Sequence, residues 1–176
     1  MMAGAAKLLH ANPELCTGCR ICELVCSMRL TGMISLQRAA IHITPRAELG
    51  QFEVTICRHC KRPLCMEACP VPGAMSFHSK LAGIVVIDPH LCNSCMACAE
   101  SCAFGAIQRG PSGVMHKCDL CDGDPLCVRY CPNRPANLNP NYPLPEGMAL
   151  EYVAPEDVQR FKKRLMQEKA QRGNAR

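Results

Sequence analysis

Sixteen of the 176 residues are cysteine, and all sixteen fall into four quartets. Cys16, Cys19, Cys22 and Cys26 are spaced Cys-x-x-Cys-x-x-Cys-x-x-x-Cys, and Cys92, Cys95, Cys98 and Cys102 repeat that spacing. Cys57, Cys60, Cys65 and Cys69 have four residues in the middle gap, Cys118, Cys121, Cys127 and Cys131 have five, and both of these quartets end in Cys-Pro. Thiolates at this density are soft metal ligands, and no cysteine is left over from the four sets.

A tight loop with a cysteine every third residue turns three thiolates toward one centre, and the fourth must come from elsewhere. In bacterial two-cluster ferredoxins the last cysteine of such a run ligates the other cluster. Four runs therefore predict four 4Fe-4S clusters held in two interlocked pairs. Three other uses of cysteine compete. A disulfide framework needs an oxidising compartment. Met1 to Ala6 carries no arginine pair, the nearby apolar stretch is short for a signal sequence, and no segment approaches the ~18 apolar residues of a membrane span. The expected setting is a reducing cytoplasm. Structural zinc takes four ligands per ion, normally as two pairs separated by a longer loop, which fits runs of three less well. A thioredoxin-like redox pair rests on one Cys-x-x-Cys, whereas here none stands alone.

Composition agrees with a fold built around inorganic centres. With no Trp and 4% aromatic residues, the chain has little bulky material for a conventional core. Clusters are expected to supply part of that cohesion, so the apoprotein should be largely unfolded. The formal charge of +5 treats cysteine as neutral. Each oxidised cluster with four thiolates carries about −2, which brings the loaded protein to about −3 and removes the main support for nucleic-acid binding. Lys162, Lys163, Arg164, Lys169 and Arg172 cluster in the tail without interleaved aromatics, as on a solvated helix face.

The elements that position the quartets show as an internal repeat. Pro13-Glu14-Leu15-Cys16 returns as Pro89-His90-Leu91-Cys92, each after an apolar stretch, Leu8 and Leu9 in one case and Ile84 to Ile87 in the other. The stretch rich in β-branched residues reads as a strand, and Asp88-Pro89 as the turn that delivers the ligand loop. After Cys69 and after Cys102 the chain passes through Gly73 and Gly105 to an apolar pair. Each unit thus reads as strand, ligand loop, short helical turn around the last cysteine, turn and strand. Between the first two quartets, alternation over Ala40 to Thr44 and Phe52 to Ile56 predicts a hairpin at 40–56. Pro132 to Pro155 is rich in Pro and Asn, which excludes regular structure across most of it. Pro155, Glu156 and Asp157 then suit a helix start, with Val158, Phe161 and Leu165 as its apolar stripe. The helix either caps its own domain or wraps a partner together with the arm.

The segments CRHCKRPLCMEACPVPGAM from Cys57 and KCDLCDGDPLCVRYCP from Lys117 resemble the second and fourth cysteine groups of four-cluster ferredoxin-type electron-transfer subunits. The resemblance covers residues 8 to about 137. The family includes iron–sulfur subunits that accompany molybdenum or tungsten pterin oxidoreductases, formate- and hydrogen-linked complexes and carbon monoxide dehydrogenases. It also includes the polyferredoxin subunit of tungsten-dependent aldehyde oxidoreductases, which this chain resembles in its short length. The resemblance implies an α+β fold of tandem bacterial-ferredoxin-like units related by a pseudo-twofold, with small hairpins and short helices around four 4Fe-4S clusters. Residues 1–137 would form that domain, and 138–176 an arm and amphipathic helix for docking.

Matched cysteine by cysteine, the family pattern places Cys16, Cys19 and Cys22 with Cys131, and Cys118, Cys121 and Cys127 with Cys26. Likewise Cys57, Cys60 and Cys65 would take Cys102, and Cys92, Cys95 and Cys98 would take Cys69. Spacing by itself leaves open a pairing of the first quartet with the second. Some relatives lack a third-quartet cysteine and carry a three-iron centre; here all four are present. Cys26 is followed by Ser27 where the pattern has proline.

No phosphate loop, His-Glu-x-x-His or serine-nucleophile motif is present, so no catalytic residue is assigned. His59 and His78 lie near the cluster-binding segments, where they could tune a potential or meet a partner, and read first as partly solvated loop histidines. The expected role is relay of single electrons between a catalytic oxidoreductase subunit, most naturally a molybdenum or tungsten pterin enzyme, and a second redox protein. Interlocked pairs in a row would give two electron ports, and copies could stack into a longer conduit. The rivals are a zinc-stabilised cysteine-rich scaffold and an enzyme with an open iron position, the latter disfavoured by four complete ligand sets.

Overall fold

Twelve short elements carry the ligand loops in the computed structural model, which describes residues 7–133, 148–154 and 157. Strand β1 (Leu8–Ala11) leads into the first loop and helix α1 (Ile21–Thr31). A hairpin of β2 (Ile41–Arg46) and β3 (Gln51–Ile56) follows, then α2 (Leu64–Glu67), β4 (Met75–Phe77), β5 (Val85–Ile87) and α3 (Ala97–Glu100). The small pair β6 (Gln108–Arg109) and β7 (Met115–His116), α4 (Leu126–Arg129) and β8 (Leu150–Val153) complete the order. The strands form four separate antiparallel pairs, β1 with β8, β2 with β3, β4 with β5 and β6 with β7. This is the small-helix, small-hairpin architecture of ferredoxin-like 4Fe-4S domains. The helix expected after Pro155, with its stripe of Val158, Phe161 and Leu165, lies outside the described residues.

The hairpin lies where alternation placed it. Ile41 faces Ile56 and Ile43 faces Val54 across the ladder, and the three isoleucines are buried. Glu23, buried on α1, accepts a hydrogen bond from the Ile43 backbone N–H at 3.1 Å and lies 3.7 Å from His42 Nδ1. A carboxylate from the first ligand helix therefore docks the insertion. Burial presses the His42 pKa down more than Glu23 raises it.

Among its described residues, the proline-rich stretch from 132 to 155 contains a strand that composition concealed. Leu150–Val153 pairs with Leu8–Ala11, and Asn12 N–H donates to Ala149 O at 2.9 Å. Asn133, two residues past Cys131 and buried, donates its side-chain amide to Leu15 O beside Cys16. These contacts stitch the end of the last quartet to the start of the first.

Two apolar cores result. Leu9, Leu15, Ile41, Ile43, Ile84, Leu120 and Leu150 pack with Cys16, Cys22, Cys26, Cys118, Cys127 and Cys131. Met75, Val85, Ile107 and Met115 pack with Cys65, Cys69, Cys92, Cys98 and Cys102. Helix α1 accordingly packs on α4, and α2 on α3.

Gly18 sits inside the first ligand loop at φ 68, and a Cβ there would lie 2.3 Å from the Phe52 ring of the hairpin. Gly18→Ala is expected to lower the thermal stability of the holoprotein by ~1–3 kcal/mol through overpacking, with a further ~1 kcal/mol from the left-handed backbone. In a Phe52→Ala background only the backbone part should remain. An unchanged melting temperature for Gly18→Ala would show that the ring does not close on the loop.

Candidate metal centres

The four quartets share a local geometry that their spacing only partly announces. The third cysteine of each, Cys22, Cys65, Cys98 and Cys127, is the second residue of a helix. The residue two places after each first cysteine is left-handed: Gly18 (φ 68), His59 (φ 46), Ser94 (φ 62) and Leu120 (φ 60). Quartets with the short middle gap enter their helix through a further left-handed residue, Arg20 or Met96. Those with the longer gap enter through Pro63 or Pro125. Asn93 and Asp119, each following a first cysteine, accept from the N–H of the second, Cys95 at 3.2 Å and Cys121 at 2.9 Å. All seven non-glycine residues with positive φ among the described residues lie inside the quartets. Strain of this kind collects where surrounding structure holds a functional geometry.

Tertiary structure regroups the cysteines crosswise. Cys16, Cys19 and Cys22 line one cavity with Cys131. Cys57, Cys60 and Cys65 line another with Cys102. A third is bounded by Cys92, Cys95, Cys98 and Cys69. In the fourth group burial raises the Cys127 thiol well above its usual range, and the nearby Cys118, Cys26 and Cys121 raise it further. Each group holds three cysteines of one quartet and the last cysteine of another. The groups also lie within electrostatic reach of one another in sequence: Cys22 beside Cys127, Cys57 beside Cys118, and Cys65 beside Cys98.

The donors of each group are four cysteine sulfurs, the ligand set of a 4Fe-4S cluster. Burial is the largest influence on these thiols, pushing Cys22 up to about 12 and Cys26 and Cys98 up to about 11. Left as thiols, they stay protonated at neutral pH. Ligation replaces those protons with metal, which is how binding energy enters the folding balance. Backbone donors already address sulfur: Ala40 N–H to Cys26 Sγ at 3.3 Å, and His59 N–H to Cys57 Sγ at 3.5 Å.

Polar side chains brace the fourth loop, where Leu120, Cys121 and Asp122 are all left-handed. Arg29 of α1 donates to Asp119 at 3.3 Å and to Asp122 at 2.7 Å. His78 Nε2 donates to Asp122 at 2.9 Å, while its Nδ1 accepts from the N–H groups of Lys80 and Leu81. The histidines depart from the sequence reading. The His78 side chain is 8% exposed and fully engaged, and His59 is buried with neither ring nitrogen bonded. Burial, then the nearby Lys117 ammonium, hold His59 neutral with its pKa down to about 3. Lys117 itself is buried, a position that no spacing rule singled out.

The 4Fe-4S dicluster domain matches residues 49–140, and the 4Fe-4S binding domain matches residues 13–29. The chain belongs to the 4Fe-4S dicluster domain family. It is 33% identical over 144 residues to the B subunit of the anaerobic dimethyl sulfoxide reductase of Escherichia coli, an alignment covering 71% of this protein and 69% of that one. It is 36% identical over 122 residues to the polyferredoxin-like subunit of the aliphatic sulfonate oxidoreductase of Pyrococcus furiosus, covering 68% of each. Against subunit beta of the NADH-dependent phenylglyoxylate dehydrogenase of Aromatoleum evansii it is 33% identical over 135 residues, 75% of this protein and 30% of that larger one. This 4Fe-4S protein is an iron–sulfur electron-transfer subunit of the oxidoreductase type, and a zinc-stabilised scaffold is not favoured. Among the described residues no helix is long and apolar enough to cross a membrane.

Proposed function

We propose that this protein holds four 4Fe-4S clusters, one in each crosswise cysteine group, and relays single electrons between a catalytic oxidoreductase subunit and a second redox protein. The observation that carries this reading is that three cavities each gather three cysteines of one quartet with the last cysteine of another, and Cys118, Cys121, Cys127 and Cys26 are the four that remain. When bound, each cluster accepts and releases one electron at a time. The protein anchors, buries and orders these centres. Its thiolates fix them, and the N–H groups of Ala40 and His59 stabilise added negative charge on the sulfur they face.

The order of the groups supports a relay with two ends. One terminus is the group of Cys16, Cys19, Cys22 and Cys131, and the other is that of Cys69, Cys92, Cys95 and Cys98. Cys19 and Cys95 are exposed, so each end reaches the surface where a partner can approach, and Cys60 of an inner group is exposed as well. The two cores, one of the first and last quartets and one of the middle two, favour a tandem of ferredoxin-like units related by a pseudo-twofold. Residues 1–137 form that tandem, with β8 returning to its edge, and the rest of 138–176 docks a partner. The family resemblance makes a molybdenum or tungsten pterin enzyme in the cytoplasm the partner to seek first, with substrate chemistry confined to that subunit.

Anaerobically purified protein should be brown, absorb broadly in the visible and contain about sixteen irons per molecule. A colourless protein holding about four zinc ions would reject this function.

A further inference from the structure

The cavity shared by Cys57, Cys60, Cys65 and Cys102 is lined by the exposed Arg58 and Arg62, and it differs from the cavities of Cys131 and Cys69 in one further respect. It contains a buried cation. Lys117 is 7% exposed, and its ammonium donates to Val85 O at 2.8 Å and to Cys118 O at 3.5 Å. These carbonyls satisfy hydrogen bonds without neutralising charge. Among the described residues no Asp or Glu carboxylate lies within ion-pair distance of Lys117, and none lines the cavity. A buried ammonium without a counter-charge is costly. The cysteine sulfurs are the remaining groups on that cavity able to supply negative charge.

His59 points to the same conclusion independently. It lies on the same cavity, is buried, and has both ring nitrogens without a partner. An unbonded buried imidazole is also costly unless an acceptor occupies the cavity. Neither the cavity of Cys131 nor that of Cys69 holds a buried lysine: Arg20 is the only charged residue on the former, and none lines the latter.

Resting on the cluster reading above, we infer that Lys117 is the counter-charge of the cluster held by Cys57, Cys60, Cys65 and Cys102, with His59 as an additional donor, and that this pair makes that cluster more readily reduced than those of the Cys131 and Cys69 cavities. Reduction adds one negative charge to the centre. A fixed positive charge at the cavity wall stabilises the reduced form over the oxidised one and raises the reduction potential.

The test is a potentiometric titration followed by electron paramagnetic resonance on anaerobic holoprotein carrying Lys117→Gln or Lys117→Arg. In Lys117→Gln, with iron content unchanged, one couple should fall at least tenfold in its reduction equilibrium constant, which is ~59 mV for one electron. Lys117→Arg should keep that couple near its wild-type position. A Lys117→Gln protein with full iron and no shifted couple overturns the assignment alone. Should Lys117→Gln lose one cluster, Lys117→Arg decides: full iron there supports a role for the charge, whereas the same loss shows that side-chain shape is what matters and overturns it. Wild-type protein without any reducible iron signal would overturn the relay reading and this assignment together.

Discussion

Removing the iron abolishes cooperative folding: under anaerobic chelation the far-ultraviolet dichroism of the helices should collapse, and the thermal transition should disappear rather than shift. The elements are too small to stand alone. Among the described residues the longest helix has 11 residues and three of the four have 4. Isolated helices shorter than ~12–15 residues are marginal in water, and isolated two-stranded pairs, the only sheets among the described residues, are marginal too. Seven non-glycine residues hold left-handed backbone, at roughly 1–2 kcal/mol each. Together they approach the whole net stability of a small domain, ~5–15 kcal/mol. Both cores are lined with cysteines whose partners in the apoprotein would be one another. Retention of a sharp, native-like melt in iron-free protein would show that apolar packing suffices, and the metal would then be a passenger on a self-sufficient fold.

The second large effect concerns which residues share a centre. Cys131→Ala should disturb the cluster of Cys16, Cys19 and Cys22, at the other end of the quartet series, and leave the centre of Cys118, Cys121 and Cys127 in place. The double variant Cys16→Ala, Cys131→Ala separates the sharing of Cys131 with the first triplet from every arrangement in which Cys16 and Cys131 belong to different clusters. With crosswise sharing both substitutions strike one cluster, iron falls from about sixteen to about twelve per molecule, and three reducible couples survive. If each quartet held its own cluster, two couples would be disturbed. The basis for expecting the first outcome is the cavity that Cys131 shares with the first triplet, supported by Asn133, which binds Leu15 O.

Much of the ligand machinery was legible because its determinants are local. A cysteine every third residue, a glycine turn and a proline after the last cysteine act within one loop, so spacing alone announces an iron–sulfur site. The hairpin of Ile41–Arg46 and Gln51–Ile56 was equally plain, since alternation reports a half-buried ladder directly. Leu150–Val153 was hidden because it lies in a proline-rich stretch and gains its strand character from Leu8–Ala11, a partner that no local window contains. His59 and His78 read as solvated because loop residues usually are, yet His78 was recruited to Asp122 and His59 was enclosed beside Lys117.

The order of residues is enough to set the kind of centre this protein builds: soft ligands at short regular intervals admit few metals and few cluster types. Which cysteines meet, and which polar groups surround them, was left to the packing of the folded chain. The reason is that a last cysteine meeting the triplet of a distant quartet, like a buried lysine on a cysteine-lined cavity, is a long-range contact selected by how α1 packs on α4 and α2 on α3. Local spacing carries no record of that choice.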